Sequence, residues 1–271
     1  MNPITLIVLV VCMAILALTI LTLAIFFTTK SQPTPLTAPT TKIPKSNTWK
    51  PNAELHQKPL LPFVTFIIPS CGRQTLLRTL QSLVRQTCSD WRAIVGLDGC
   101  VASEEVYDLA AKNPSISLVH MEKLGESNHA GRIRNKCVIQ ARTRWVAFVD
   151  DDDSVAPEYV DMLRAEVRNT PDAQMVQFRM QFGTSAHILP SLDATTLQSC
   201  HVGISFALRY DTALWAPFES SGSEDWEIID KVCRAENMKA VLSSHIAYFV
   251  RSGPSTPHGV GVRVENVKSR P

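Results

Sequence analysis

Apolar positions along this chain alternate between two spacings. "FVTFIIP" (Phe63 to Pro69) is a short continuous apolar run and reads as a buried strand; it gives way to "RQTLLRTLQSLVRQT", where Leu76, Leu77, Leu80, Leu83 and Val84 return at steps of three and four and line one helix face. The same exchange repeats down the chain. "RAIVGLDG" predicts a strand and "SEEVYDLAAKN" a helix, "ISLVH" a strand and "HAGRIRNKCVIQA" a helix opened by Gly131, "WVAFVD" a strand and "APEYVDMLRAEV" a helix, before "AQMVQF". Strand and helix in turn predict an α/β fold, Rossmann-like, with a mainly parallel sheet covered by helices on both faces. Ligands of such open sheets bind beyond the carboxyl ends of the strands. Three polar clusters fall at those ends: Ser70 to Arg73, Asp98-Gly99, and Asp150 to Asp153.

The amino terminus follows neither spacing. From Ile4 to Phe27 no charged residue occurs, and at about 1.5 Å per residue the stretch spans a hydrocarbon core of about 30 Å. It predicts a transmembrane helix at 4–27. A cleaved signal peptide is the competing reading, against which stand the length of the apolar part, the absence of a basic segment before it and the lack of a small-residue cleavage site. Residues 28–61 form a Pro- and Thr-rich linker with six prolines and one acid, Glu54, too polar to build a core. The folded domain is expected at 62–253, with a tail at 254–271. Lys30, Lys42 and Lys45 after the span lean toward a cytosolic domain in a single-pass membrane protein. The Pro/Thr linker resembles the stalks of lumenal enzymes, so a Golgi or ER placement stays open.

Composition narrows this little. Lys+Arg number 27 against 25 Asp+Glu, a net charge of +2, and no Lys/Arg-rich block forms a phosphate-backbone footprint, so nucleic acid is not an expected partner. Cys71, Cys88, Cys100, Cys137, Cys200 and Cys233 show no CxxC and no zinc spacing. They read as isolated small apolar side chains in a reducing compartment.

The chemistry concentrates in "RWVAFVDDDDSVAPEYV". Four adjacent carboxylates repel one another, so they must be solvated or neutralised. A solvated acidic turn is the plain reading of the run alone. Compact oxygen ligands also suit Mg²⁺ or Mn²⁺, ions that commonly bridge to substrate phosphates.

The order of the motifs adds to this. "FVTFIIPSCGR", "AIVGLDGC", "AGRIRNKCVIQARTRWVAFVDDDD" and "SGSEDWEIIDKVCRAEN" together resemble the inverting glycosyltransferase family 2, which has the GT-A fold, over about Pro62 to Arg251. The resemblance implies a nucleotide loop at Pro69, Ser70 and Arg73, a base contact at Asp98, and an Arg-Asn pair at Arg134 and Asn135. It also implies a DxD element at Asp150, Asp151 and Asp152, with Asp152, assisted by Asp150, holding Mn²⁺ or Mg²⁺ on the donor diphosphate. A run of four aspartates leaves that register open by one. Asp225 of Glu224-Asp225 is then the general base for the acceptor hydroxyl. Acids at a helix start also favour the helix dipole, and Trp226, Ile229, Val232 and Cys233 are expected to face the core. Three positions depart from the family pattern: Cys71-Gly72 stands where Tyr-Asn is usual, and Cys100 where Ser is usual.

The implied activity is transfer of a sugar from a nucleotide-sugar, a UDP-sugar by expectation, to a glycan, lipid-linked or protein hydroxyl. His245 and His258 are candidates for a further metal or phosphate contact, set against a plain structural role. Tyr248 and Arg251 resemble a Tyr-x-x-Arg element after the last strand. Trp215 and Trp226 are candidates for the acceptor side or for core packing. Two alternatives remain: an inactive GT-A-like binding module, and a sugar-phosphate nucleotidyltransferase, whose Gly-rich basic loop "PSCGRQT" does not supply.

Overall fold

The computed structural model describes residues 62–124, 130–183, 185, 187–219 and 223–250. The expected transmembrane helix and linker, the tail, Arg251 and His258 lie outside the described residues. Among the described residues no helix is long and apolar enough to cross a membrane.

The predicted alternation is realised as β1 (Val64–Ser70), α1 (Leu76–Val84), β2 (Trp91–Asp98), α2 (Glu104–Lys112), β3 (Ile116–Met121), α3 (Ala130–Val138), β4 (Trp145–Phe148), β5 (Ser154–Val155), α4 (Tyr159–Asn169) and β6 (Met175–Phe182). Then follow β7 (Ile188–Leu189), β8 (Phe206–Arg209), α5 (Tyr210–Trp215), α6 (Glu224–Arg234) and β9 (Ala240–Val250). The described strands form one nine-stranded sheet in the order β3-β2-β1-β4-β8-β6-β9-β5, with β7 on β6.

The first half is parallel throughout: β2 and β4 flank β1, and β3 adds beyond β2. Because β1 continues to one side through β2 and the chain returns to the other at β4, strand order reverses between β1 and β4. In open sheets of this kind ligands bind beyond the carboxyl ends of the strands at such a reversal. The second half is mixed. β8 runs antiparallel to both β4 and β6, while β9 is parallel to β6 and antiparallel to the short β5. No period in the sequence signals this change, because buried strands of either sense read as apolar runs.

The core explains the order. Phe66 on β1 meets Trp91 edge-on at 6.2 Å and Tyr159 of α4 at 5.2 Å, and Tyr159 in turn meets Phe178 at 4.8 Å. On the opposite face α3 lies so close that a Cβ on Gly96 would collide with Ile133 and Cys137. Burying a Phe-sized side chain contributes about 1.5–3 kcal/mol, so this aromatic chain locks α4 across the sheet directly beneath the acidic run. In α6 the buried residues are Ile228, Ile229 and Val232, with Trp226 half-buried and Cys233 exposed. The expected face is thus met at Ile229 and Val232 and by Trp226, which packs against the core, while Cys233 turns outward.

Candidate active site

The loop after β1 is built around Ser70. Its buried hydroxyl donates to Asp151 Oδ2 at 2.6 Å and accepts from the Gly72 amide at 3.0 Å. Gly72 has φ +81°, and a Cβ there would lie 2.7 Å from the Val101 carbonyl oxygen, so the turn requires glycine. The turn aims Arg73 back at the acids: Nη1 donates to Asp152 Oδ2 at 2.8 Å and Nε lies 3.4 Å from Asp151 Oδ1. Pro69 is buried at the end of β1, opposite Gly96. As a proline it has no backbone N–H to donate.

The four aspartates, all just beyond β4, have different surroundings. Asp150 Oδ1 accepts from Arg134 Nη2 at 2.6 Å, and its amide donates to Tyr248 Oη at 3.1 Å. Asp151 is buried. Asp152 is held by Arg73. Asp153 is buried, accepts from Tyr248 Oη at 2.7 Å, and its carbonyl accepts from Thr79 Oγ1 at 2.7 Å. Burial pushes the Asp151 carboxyl up to about 6 against the pull of the Ser70 hydrogen bond and Arg73. Burial likewise raises Asp152 above the ordinary carboxylate range despite Arg73. The run is therefore no solvated turn: two arginines, a serine and a tyrosine divide its charge.

Arg134 is the hub. It is 3% exposed, sits on α3, and donates from Nη1 to Glu224 Oε1 at 2.5 Å and from Nη2 to Asp150. Its guanidinium also lies over the Phe218 ring at 5.0 Å. Burial alone would make such a cation easier to deprotonate, but Asp150, Asp225 and Glu224 together hold it more firmly charged than usual. Burial raises Glu224 even beside Arg134. Gly131 makes this approach possible, since a Cβ there would collide with Glu224 Oε2 and stand 2.9 Å from Phe218 Cβ.

The other expected residues are distributed as follows. Asp225 is half-buried at the start of α6, close enough to Arg134 to strengthen its charge. The Asn135 side chain is not directed at an open pocket: Nδ2 donates to the Phe218 carbonyl at 2.8 Å and Oδ1 accepts the Phe218 amide at 2.9 Å. It clamps the segment leading to α6. Asp98 ends β2 and accepts from the Leu124 amide at 3.0 Å, while Gly99 turns the chain at φ +61° against Lys123. His245 is exposed on β9 and its amide donates to Ser243 Oγ. Trp215 packs its ring under Lys231 Nζ at 4.8 Å. Phe218 and Thr79 were the partners the sequence did not identify, and Glu224, named there only beside Asp225, was not foreseen as the partner of Arg134. These contacts carry no local signal, because each joins segments far apart in the chain.

Among the described residues no group of three His, Cys, Asp or Glu side chains is arranged to hold a metal ion. The donors at hand, Asp150 and Asp152, are oxygens already engaged by arginines. Such a pair fits a hard cation that takes most of its ligands from phosphate and water.

With this geometry in hand, comparison with known proteins defines the class. A sequence model of glycosyl transferase family 2 matches residues 65–212, over half of the chain. The chain belongs to this family. Among curated relatives, EpsH of Bacillus subtilis (strain 168), named as a glycosyltransferase, is 28% identical over 140 residues, covering 51% of this chain and 40% of the relative. WcaA of Escherichia coli (strain K12), named as a colanic acid biosynthesis glycosyl transferase, is 29% identical over 108 residues, covering 38% of this chain and 37% of the relative. The match thus spans about two fifths of each relative's length. Among solved structures, S. aureus TarS 1-349 in complex with UDP-GlcNAc superposes with a TM-score of 0.57 at 15% identity, over 72% of this chain and 60% of that one. At that identity the likeness establishes the GT-A-like fold.

Proposed function

We propose that this chain is a membrane-anchored inverting glycosyltransferase that moves a sugar from a UDP-sugar to a hydroxyl on a glycan, a lipid-linked saccharide or a protein. The observation that carries the reading is Arg134, which joins Asp150 at the carboxyl edge of the sheet to Glu224 at the start of α6. It brings two separate acidic groups to one crevice, as inverting transfer demands: one to receive the donor's diphosphate through a cation, one to take a proton.

In this reading Ser70, Arg73 and Pro69 bound the nucleotide pocket, and Asp98 meets the base. TarS, whose fold this chain shares, is described in complex with UDP and with UDP-GlcNAc, which favours a UDP-sugar as donor. Asp152 and Asp150 hold Mn²⁺ or Mg²⁺, which supplies charge stabilisation to the leaving diphosphate. Asp225 takes the proton from the acceptor hydroxyl as it attacks the anomeric carbon opposite the leaving group. Arg134 keeps Glu224 and Asp150 in register, and Asn135 braces the Phe218 backbone beneath them. The uncharged stretch Ile4 to Phe27 anchors the enzyme as a single-pass protein; the lysines that follow it, Lys30, Lys42 and Lys45, lean toward a cytosolic domain, and a lumenal one is the alternative.

The test is thermal unfolding of the full chain in detergent with UDP and Mn²⁺, separately and together, on wild type and Asp152→Asn. Ligand at about 100 times its dissociation constant stabilises by about 2.7 kcal/mol. The reading expects a shift that needs both ligands and vanishes in the variant. A folded wild type indifferent to UDP, GDP and dTDP with Mn²⁺ overturns it.

A further inference from the structure

Two of the three departures from the family pattern on the nucleotide side are cysteines, and they stand on the adjacent loops after β1 and β2. Cys71 follows Ser70 at the end of β1 and is exposed; Cys100 follows Gly99 at the end of β2 and is half-buried. The strands are hydrogen-bonded neighbours with Ser70 opposite Leu97. The Cys100 thiol donates to the Ser70 carbonyl at 3.6 Å. That carbonyl belongs to the peptide unit leading into Cys71, so planar peptide geometry puts the Cys71 Cα within about 6.5 Å of the Cys100 sulfur. Gly72, next in the chain, would bring a Cβ to 3.3 Å from the same sulfur; as glycine it leaves the space open. Two residues on from Cys71 stands Arg73, the residue that holds Asp151 and Asp152. Burial first, and then the nearby Cys71, Asp98 and Asp151, raise the Cys100 thiol above its ordinary range.

We infer that Cys71 and Cys100 form an oxidisable dithiol pair at the mouth of the crevice, whose disulfide ties the loops after β1 and β2 together and weakens nucleotide binding. The regulatory half of this inference rests on the donor site proposed above; the pairing itself does not.

The chemistry balances with a low-molecular-weight disulfide as oxidant. The exposed Cys71, as thiolate, attacks one sulfur of that disulfide, forming a mixed disulfide and expelling one thiolate. Cys100 then loses its proton and attacks the Cys71 sulfur, expelling the second thiolate. The protein gives up two electrons and two protons, and the oxidant leaves as two thiols. Disulfide geometry holds the two Cα atoms at about 4.4–6.8 Å, so the linked pair fixes the loop after β1 against the loop after β2. Arg73, two residues on, then loosens from Asp151 and Asp152.

The experiment treats the reduced full chain in detergent with glutathione disulfide, maps its disulfides by mass spectrometry after non-reducing digestion, and measures UDP binding with Mn²⁺ before and after. The expected result is a Cys71–Cys100 linked peptide, at least tenfold weaker UDP binding, and recovery of binding with a thiol reductant. Cys71→Ser should abolish the linked peptide and keep UDP binding insensitive to oxidant, whereas Cys100→Ser should abolish the linked peptide and stop at the Cys71 mixed disulfide with glutathione. Exposed Cys200 and Cys233 act as internal controls. If they become glutathionylated while Cys71 and Cys100 never link, the pairing is overturned. A linked protein that binds UDP as tightly as the reduced one overturns the regulatory half. Failure of the reduced, folded protein to bind UDP counts against the donor site and removes the regulatory half with it, leaving the linked peptide to decide the pairing alone.

Discussion

Arg134 and Glu224 lie 90 residues apart in the chain and share a 2.5 Å hydrogen bond, with Arg134 4% and Glu224 13% exposed at the side chain. The same guanidinium holds Asp150, so removing it leaves two carboxylates facing one another without their cation. Breaking a buried ion pair from one side costs about 3–5 kcal/mol. Arg134→Met should lower unfolding stability by about that amount in urea titrations, and Arg134→Lys, which keeps the charge and loses the fork, by less.

Gly131 tests the same contact from its other side. Because a Cβ there collides with the Glu224 carboxylate and crowds Phe218, Gly131→Ala should displace Glu224 and destabilise the chain by about 1–3 kcal/mol. Gly131→Ala combined with Glu224→Gln should cost less than the sum of the single changes, because both act on one contact. A double-mutant cycle on unfolding stability checks this.

Asp151 makes stability depend on pH in a definite direction. Its folded carboxyl titrates near about 6 because of burial, against about 3.9 in an unfolded chain. Between those values the folded state binds more protons than the unfolded one. Its contribution is therefore most favourable below the unfolded value and is lost as pH rises through the folded one. Wild type should lose stability relative to Asp151→Asn as pH goes from about 4 to about 6, with no further divergence above, as read from melting temperatures of the two proteins across that range.

Tyr248 ties β9 to the acidic run through both ends of its hydroxyl, accepting from the Asp150 amide and donating to Asp153. Tyr248→Phe keeps the buried ring and removes both bonds. Leaving such buried groups without that partner costs about 1–3 kcal/mol. Chemical denaturation should show this loss, together with weaker Mn²⁺-dependent UDP binding, since Asp150 is the next residue to move.

Asp225 separates chemistry from binding. If it is the general base, Asp225→Asn should lower sugar transfer by about 100-fold or more while UDP affinity with Mn²⁺ stays within about twofold. Comparable losses in both would assign Asp225 to holding Arg134 instead. Donor hydrolysis and calorimetric UDP titration together make the distinction.

Local periodicity determined most of the first half of this protein. Runs such as Phe63 to Pro69 and the spacing of Leu76, Leu80 and Leu83 specify strand and helix through which positions must leave water, and their alternation implies a parallel sheet with acids at its carboxyl edge. The family motifs also located Ser70, Arg73, Arg134 and the aspartates in the chain. What the sequence could not determine is what each charge faces. Four consecutive aspartates look equivalent, yet strand geometry and the switch between β1 and β4 give Asp150 to Arg134, Asp151 to Ser70, Asp152 to Arg73 and Asp153 to Tyr248. The antiparallel placement of β8, the closing of Asn135 on Phe218, and the approach of Cys100 to the Ser70 carbonyl belong to the tertiary structure for the same reason. Each depends on a contact between distant segments, whose energy no local pattern records.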